Sequence, residues 1–142
     1  MIVLDTNVVS ELIRQTPEPG VVGWVDTVPS GDVFVTAVTA AELMYGVARL
    51  PEGRRKQEIS AKVGGMLAED FKDQALPFDE VAALHYADIV ASRERAGRPI
   101  TMADAQIAAI CRRWSANLAT RNVADFVDTG VQVVNPWDTP QQ

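Results

Sequence analysis

Hydrophobic positions in this chain fall alternately at strand and helix spacing. Ile2-Val-Leu4 is an unbroken apolar run that stops on Asp5, the pattern of a short strand buried on both faces. Residues 8–14 then follow a helical period, and Thr16-Pro-Glu-Pro-Gly20 interrupts it with two fixed φ angles and a glycine. A second helix is expected over 21–28, with Trp24 and Val25 as core anchors, and a turn at 29–31. Residues 32–38, rich in β-branched and aromatic side chains, predict a second strand. Helical spacing returns over 39–50 and again over 54–72, where Ile59, Val63, Met66 and Leu67 mark the core face. A short strand over 75–78 belongs at a sheet edge, because Pro77 has no N–H to donate to a ladder. Asp79 caps a helix running to about Ala96 before Gly97, and Thr101 opens the next, to Trp114. Strands at 117–120 and 131–134 follow, and Asn135-Pro-Trp-Asp closes the domain.

Strands alternating with helices predict an α/β fold, a parallel sheet covered by helices on both faces. Repeats, linkers and low-complexity segments are absent from the sequence, so the expectation is one domain over 1–142.

The acids in this pattern carry the chemistry. Asp5 ends the first strand, and the carboxyl ends of strands in an open parallel sheet form the crest where ligands bind. Glu42 and Asp104 stand three residues after Thr39 and Thr101 at expected helix starts. Singly, each fits a capping box, in which an acid near a helix start complements the dipole and a free backbone N–H. Together they converge on one crest from three segments, joined by the polar cluster Thr120-Arg-Asn122-Val-Ala-Asp125 after a later strand. Carboxylates gathered without cations repel and raise one another's pKa. A hard divalent cation such as Mg²⁺ or Mn²⁺ resolves that conflict through oxygen ligands. Asn7, two residues after Asp5, is placed to orient its carboxylate.

Composition limits the alternatives. A length of 142 residues with 47% hydrophobic and 23% charged content suits a globular protein with a substantial core. No apolar stretch approaches the roughly 20 residues of a membrane span, and the N-terminus lacks a signal-peptide pattern, so a cytoplasmic location is expected. The lone Cys111 excludes an internal disulfide and a cysteine-based zinc site, and its helical apolar surroundings predict an inert thiol. A net charge of -6 argues against nucleic-acid binding by bulk attraction. Its distribution softens that objection, since Asp5, Glu42, Asp104 and Asp125 would share one site offset by bound cations, and basic residues cluster at 49–56, at Arg93, Arg95 and Arg98, and at Arg112, Arg113 and Arg121.

Asp5-Thr6-Asn7, Thr39-Ala-Ala-Glu42-Leu, Met102-Ala-Asp104-Ala-Gln-Ile-Ala-Ala and Ala119-Thr120-Arg-Asn-Val-Ala-Asp125-Phe126 resemble, in order and spacing, the successive motifs of PIN-domain ribonucleases. The chain is most similar to the VapC-type toxins of bacterial toxin–antitoxin pairs, in the FitB-like branch, and Asn135-Pro136-Trp137 strengthens that placement. The resemblance implies a three-layer α/β/α domain with about five parallel strands. It implies a Mg²⁺- or Mn²⁺-dependent endoribonuclease that hydrolyses RNA to 5′-phosphate and 3′-hydroxyl ends. A homodimer and inhibition by a cognate VapB- or FitA-like antitoxin are implied as well. Asp5, Glu42 and Asp104 would be metal ligands. The family often carries an acid directly after the Thr-Arg pair, where this chain has Asn122; Asp125 would substitute, and Asn122 would ligate through its carbonyl oxygen or hold a water. Thr120 would support the site, and Arg121 would take a phosphate.

Two other readings use the same residues. A haloacid-dehalogenase-like phosphatase also begins with an acid at a strand end, but it needs a second acid where this chain has Asn7. A PIN-like module that has lost catalysis would be consistent with Asn122. His85, Ser10 and Ser92 lack partners at catalytic spacing, Gly64-Gly65 does not follow a strand, and the three tryptophans are expected in core or interface.

Overall fold

The computed structural model describes residues 1–138; residues 139–142 of the expected domain lie outside the described residues. Its centre is a five-stranded, wholly parallel sheet in the order β3-β2-β1-β4-β5. The strands are β1 (Ile2–Leu4), β2 (Val33–Thr36), β3 (Ala75–Leu76), β4 (Asn117–Ala119) and β5 (Val133–Val134). The helices are α1 (Thr6–Leu12), α2 (Pro19–Asp26), α3 (Ala37–Ala48), α4 (Arg54–Gly65), α5 (Glu80–Arg95) and α6 (Met102–Trp114).

Side-chain alternation along the two central strands builds a core on each face of the sheet. Val3 and Leu118 point into a cluster with Ala82 and Ile89 of α5 and Ile107 to Cys111 of α6. Their neighbours Leu4 and Ala119 point the other way, into Val8 and Val9 of α1, Val21 of α2, Leu43 of α3 and Val63 of α4. β1 is covered on both faces and reads as a continuous apolar run, whereas in β4 only Leu118 and Ala119 are buried and Asn117 is exposed. Truncating fully buried Ile107 or Leu118 to Ala removes contacts on which the sheet depends and costs about 2–5 kcal/mol.

The boundaries differ from the sequence pattern in instructive places. Strand β2 ends at Thr36 and α3 begins at Ala37, two residues before Thr39. The cap is Thr36, whose hydroxyl accepts from the Thr39 N–H at 3.0 Å. The expected Thr39–Glu42 capping box is therefore absent. Ala37-Val38 is apolar enough to prolong a strand on paper, and the buried Thr36 hydroxyl decides otherwise. The long helix expected over 54–72 is α4 followed by a wider π-helical turn (Met66–Asp70), which tucks Met66 and Phe71 into the core. Strand β3 is an edge strand, as Pro77 requires. No helix among the described residues is long and apolar enough to cross a membrane.

Chain order matters more than strand length. After β1 the chain builds outward through β2 to β3, then returns to add β4 and β5 on the other side of β1. The reversal falls between β1 and β4, and ligands bind at such a crevice beyond the strand ends. Asp5 follows β1 and Thr120 follows β4.

Candidate active site

Asp5 is 4% exposed and serves as N-cap of α1, but capping occupies only one of its oxygens. Oδ1 accepts from the Thr6 N–H at 2.8 Å. Oδ2 accepts from the Thr120 hydroxyl at 2.7 Å and the Asn7 amide at 3.2 Å. The Asp5 N–H donates to the Ala119 carbonyl at 2.9 Å, continuing the β1–β4 ladder to the crest. Thr120 is a junction: its hydroxyl also accepts from Asn7 Nδ2 and from the Asn122 N–H, both at 3.1 Å. Asn7 completes the link by accepting from the Arg121 N–H at 3.1 Å. Asn7 and Thr120 thus hold the Asp5 carboxylate against the start of the loop that follows β4.

Glu42 lies in the second turn of α3 and is exposed, beyond the reach of a capping role. It accepts from the Thr6 hydroxyl at 2.8 Å, and that hydroxyl also meets the Thr39 hydroxyl at 3.0 Å. Thr6 and Thr39 therefore tether Glu42 toward Asp5, a role that had no signal in the sequence beyond their place in the motifs. Asp104 does occupy a first helical turn. Its N–H donates to the hydroxyl of Thr101, the N-cap of α6, at 3.2 Å. Asp104 and Asp125, with Arg93, Pro99, Ile100 and Thr101, line a small cavity of about 90 Å³. Asp125 is exposed on a 3₁₀ turn (Val123–Phe126) after β4. The Asn122 side chain is exposed at the start of that turn and caps nothing.

The electrostatics join these four acids. Burial pushes the Asp5 pKa up, the bonds from Thr120 and Thr6 hold it back, and the charge of Glu42 raises it further. Burial also raises Asp104; the charges of Asp5 and Asp125 add to the rise, while the Thr101 bond and the Arg93 charge oppose it. Among the described residues, no lysine or arginine forms an ion pair with any of the four. Nor do three of them gather tightly enough to enclose an ion alone. The donor set fits a hard cation such as Mg²⁺, which binds through one or two carboxylates and completes its shell with water. The Arg93 charge offsets only part of the cluster's negative charge, since the Asp104 pKa stays raised and no ion pair reaches the cluster among the described residues.

The chain matches the PIN domain family over residues 2–131. It is 40% identical to the toxin FitB of Neisseria gonorrhoeae over 137 residues, covering 96% of this chain and 99% of FitB. It is 36% identical to the VapC ribonuclease Y4jK of Sinorhizobium fredii over 138 residues, covering 97% and 99%. In three dimensions it matches a chain of a FitAB complex bound to a DNA fragment, with a TM-score of 0.92, 38% identity, and coverage of 100% and 99%. The chain belongs to the PIN-domain family. Within it, the FitB and VapC toxins are its relatives. The phosphatase alternative loses its footing in the PIN fold, because Asn7 is spent as a donor to Asp5 and Thr120.

Several residues that sequence reasoning set aside take definite places. Cys111 is fully buried, and burial drives its thiol pKa far upward, so it is inert. His85 sits half-buried on α5. Trp24 and Trp137 pack against the α1–α4 core, whereas Trp114 is 39% exposed beneath the Arg113 guanidinium. Arg121 lies over the Trp137 ring, 4.9 Å from its centroid. Arg93 is the main surprise: it is 5% exposed rather than part of a solvated basic cluster. Its position four residues after buried Ile89 on α5 was the available signal.

Proposed function

We propose that this PIN-domain chain is a divalent-metal-dependent endoribonuclease and the toxin of a toxin–antitoxin pair. The observation that carries the reading is Asp5, buried at the β1–β4 switch point and electrostatically joined to Asp104, Glu42 and Asp125 with no ion-pairing cation among the described residues. Its kinship with the VapC ribonuclease Y4jK supports an RNA substrate.

Asp5 and Asp104 would hold the cation, Mg²⁺ or Mn²⁺, with Glu42 and the Asn122 carbonyl oxygen as further ligands. Held by these residues, such a cation would supply countercharge, polarise a phosphate oxygen and lower the pKa of a bound water. Asn7 and Thr120 fix the rotamer of Asp5 through Oδ2, which leaves the remaining lone pair of Oδ1 held in one orientation before substrate arrives. Glu42, steered by Thr6, orients the attacking water or a second cation from the α3 side. Asp125 takes the fourth acidic role from the β4 side. Arg121 meets an RNA phosphate at the rim. In-line attack by water needs no 2′-hydroxyl nucleophile and leaves 5′-phosphate and 3′-hydroxyl ends.

Neighbours in structure include FitAB and VapBC complexes, three of them bound to DNA. By that kinship the partner of this chain is a FitA- or VapB-like antitoxin, and a basic antitoxin side chain in the acidic crest would satisfy the carboxylates and exclude metal. A homodimer acting in the cytoplasm completes the proposal.

Cleavage of a mixed RNA pool with Mg²⁺ or Mn²⁺ tests the reading, with EDTA and Asp104→Asn as controls. Cutting that both controls abolish is the expected result. Intact RNA from folded, antitoxin-free protein would instead favour a PIN-like module that has lost catalysis, with Asn122 as the cause.

A further inference from the structure

Arg93, in the last turn of α5, holds a positive charge almost wholly out of solvent. Its Nε donates to the Arg98 carbonyl at 2.7 Å, and its Nη1 donates to the carbonyls of Asp125 at 2.9 Å and Val127 at 2.7 Å. The Arg98 N–H returns a bond to the Arg93 carbonyl at 2.8 Å, closing a ring at the helix end. Gly97, at φ 71°, makes the left-handed reversal that this ring requires.

These bonds join two segments distant in sequence. One runs from Gly97 to Thr101, the N-cap of α6, and so sets where Asp104 begins its turn. The other is the 3₁₀ turn (Val123–Phe126) that carries Asp125. An arginine serving only its own helix would cap α5 through nearby carbonyls such as that of Arg98. The bonds to Asp125 and Val127 reach 32 and 34 residues along the chain, to the far wall of the cavity that Asp104 shares. A lysine ammonium, a point donor on a flexible stem, cannot reproduce a planar fork that bonds both walls at fixed angles.

We infer that Arg93 is a positioning residue for metal-dependent cleavage, its buried guanidinium clamping the Asp104-bearing and Asp125-bearing segments at one separation. This rests on the nuclease reading above. Arg93 is buried with its bonds on backbone carbonyls, so its role runs through the segments that carry the two acids.

The test compares wild type, Arg93→Lys and Arg93→Met in three measurements: Mn²⁺ binding by titration of the metal-free protein, steady-state RNA cleavage, and hydrogen exchange over residues 122–127. Arg93→Lys keeps the charge and most of the stem, so it carries the test even where Arg93→Met fails to fold. For Arg93→Lys, kcat should fall about 10- to 100-fold with KM within about twofold, as expected when reacting groups shift by an ångström. Mn²⁺ binding should weaken alongside, and exchange over 122–127 should quicken, at an unfolding midpoint that leaves the protein folded under assay conditions. An Arg93→Lys protein equal to wild type in Mn²⁺ binding and kcat would overturn the inference. So would full rescue by Lys of a folded but inactive Arg93→Met, since charge alone would then suffice. Wild type that neither binds Mn²⁺ nor cuts RNA removes the nuclease reading and this role with it. Wild type that does both beside indifferent variants removes the Arg93 role alone.

Discussion

Asp79 and Asp104 stand at the starts of two neighbouring helices, and local sequence treats them nearly alike. Asp79 is the N-cap of α5: its Oδ1 accepts from the Ala82 N–H at 2.9 Å, and its Oδ2 lies 3.3 Å from Arg113 Nε. The backbone bond from Ala82 does most to hold its pKa down, helped by Arg113. Asp104, in the first turn of α6, faces burial and the charges of Asp5 and Asp125, and its pKa is pushed up. One carboxylate is satisfied by its surroundings, and the other is left wanting a cation. A helix-start acid becomes a candidate ligand through what the distant chain brings to it, and Asp5 arrives at Asp104 only because the sheet reverses direction between β1 and β4.

The largest expected effect separates these two acids by activity. Asp104→Asn should reduce metal-dependent cleavage by about 10²- to 10³-fold, the scale on which loss of one group stabilising transition-state charge is felt. Asp79→Asn should leave kcat unchanged, because the asparagine oxygen can still accept from Ala82 and its only tie to α6 among the described residues is Arg113 in the last turn, at the opposite end of the helix from Asp104. End-mapped cleavage of a defined RNA at saturating Mn²⁺ measures both. Equal losses in the two variants would mean that α6 needs only an intact helix start.

Stability should separate them with opposite signs. Asp79 has a folded pKa below its ordinary 3.8, so its ionised form stabilises the fold. That contribution is fully present above pH 3.8 and is lost as pH falls through the lower folded value. Asp79→Asn should therefore lower the unfolding midpoint at neutral pH, with the difference vanishing in acid. Asp104 has a folded pKa above 3.8, so its ionised form is penalised in the fold. The penalty is complete above the folded value, fades as pH falls through it, and is gone below 3.8. Asp104→Asn should therefore raise the midpoint of the metal-free protein at neutral pH, by an amount that disappears toward acid. Saturating Mn²⁺ should reverse that order, since only wild type gains the full binding energy. Calorimetric scans of the three proteins across pH, with EDTA or Mn²⁺, decide the matter. An Asp104→Asn protein less stable than wild type in EDTA would count against electrostatic strain at the crest.

Much of this contrast is legible in the amino-acid order, though unevenly. The apolar run 2–4 has no polar residue to turn toward solvent, so its burial in a parallel sheet can be read directly, whereas Asn117 and Thr120 leave the buried pair Leu118-Ala119 a weaker signal. Asp5 and Asp104 are placed by their strand end and helix cap. The start of α3 is not legible, since Ala37-Val38 suits either period and the choice depends on the Thr36 hydroxyl becoming buried. Arg93 is hidden for a different reason: a helix-end arginine is solvated in most contexts, and two of its three carbonyl partners lie more than thirty residues downstream. The start of α3 turns on the burial of a local cap, whereas Arg93 turns on carbonyls that the fold brings from a distant segment.

The smallest expected effect concerns the rim beside the acids. Arg121 is exposed after β4, its N–H anchored by Asn7 and its guanidinium 4.9 Å from the centroid of Trp137. The ring of Trp137 packs against the α1–α4 core, so it offers a fixed face to a mobile cation. If the ring holds Arg121 ready for an RNA phosphate, Trp137→Leu should raise KM by about two- to fivefold, the worth of an exposed cation–π contact. Its kcat should be unchanged, in contrast to every substitution among the acids. Arg121→Ala should raise KM at least as far and lessen the slope of log affinity against log salt by about 0.7, one phosphate contact on a single strand. The double substitution should add little to Arg121→Ala, because the ring acts through the arginine. Additive effects in that cycle would show that Trp137 meets RNA on its own account, and the rim would then hold two independent contacts.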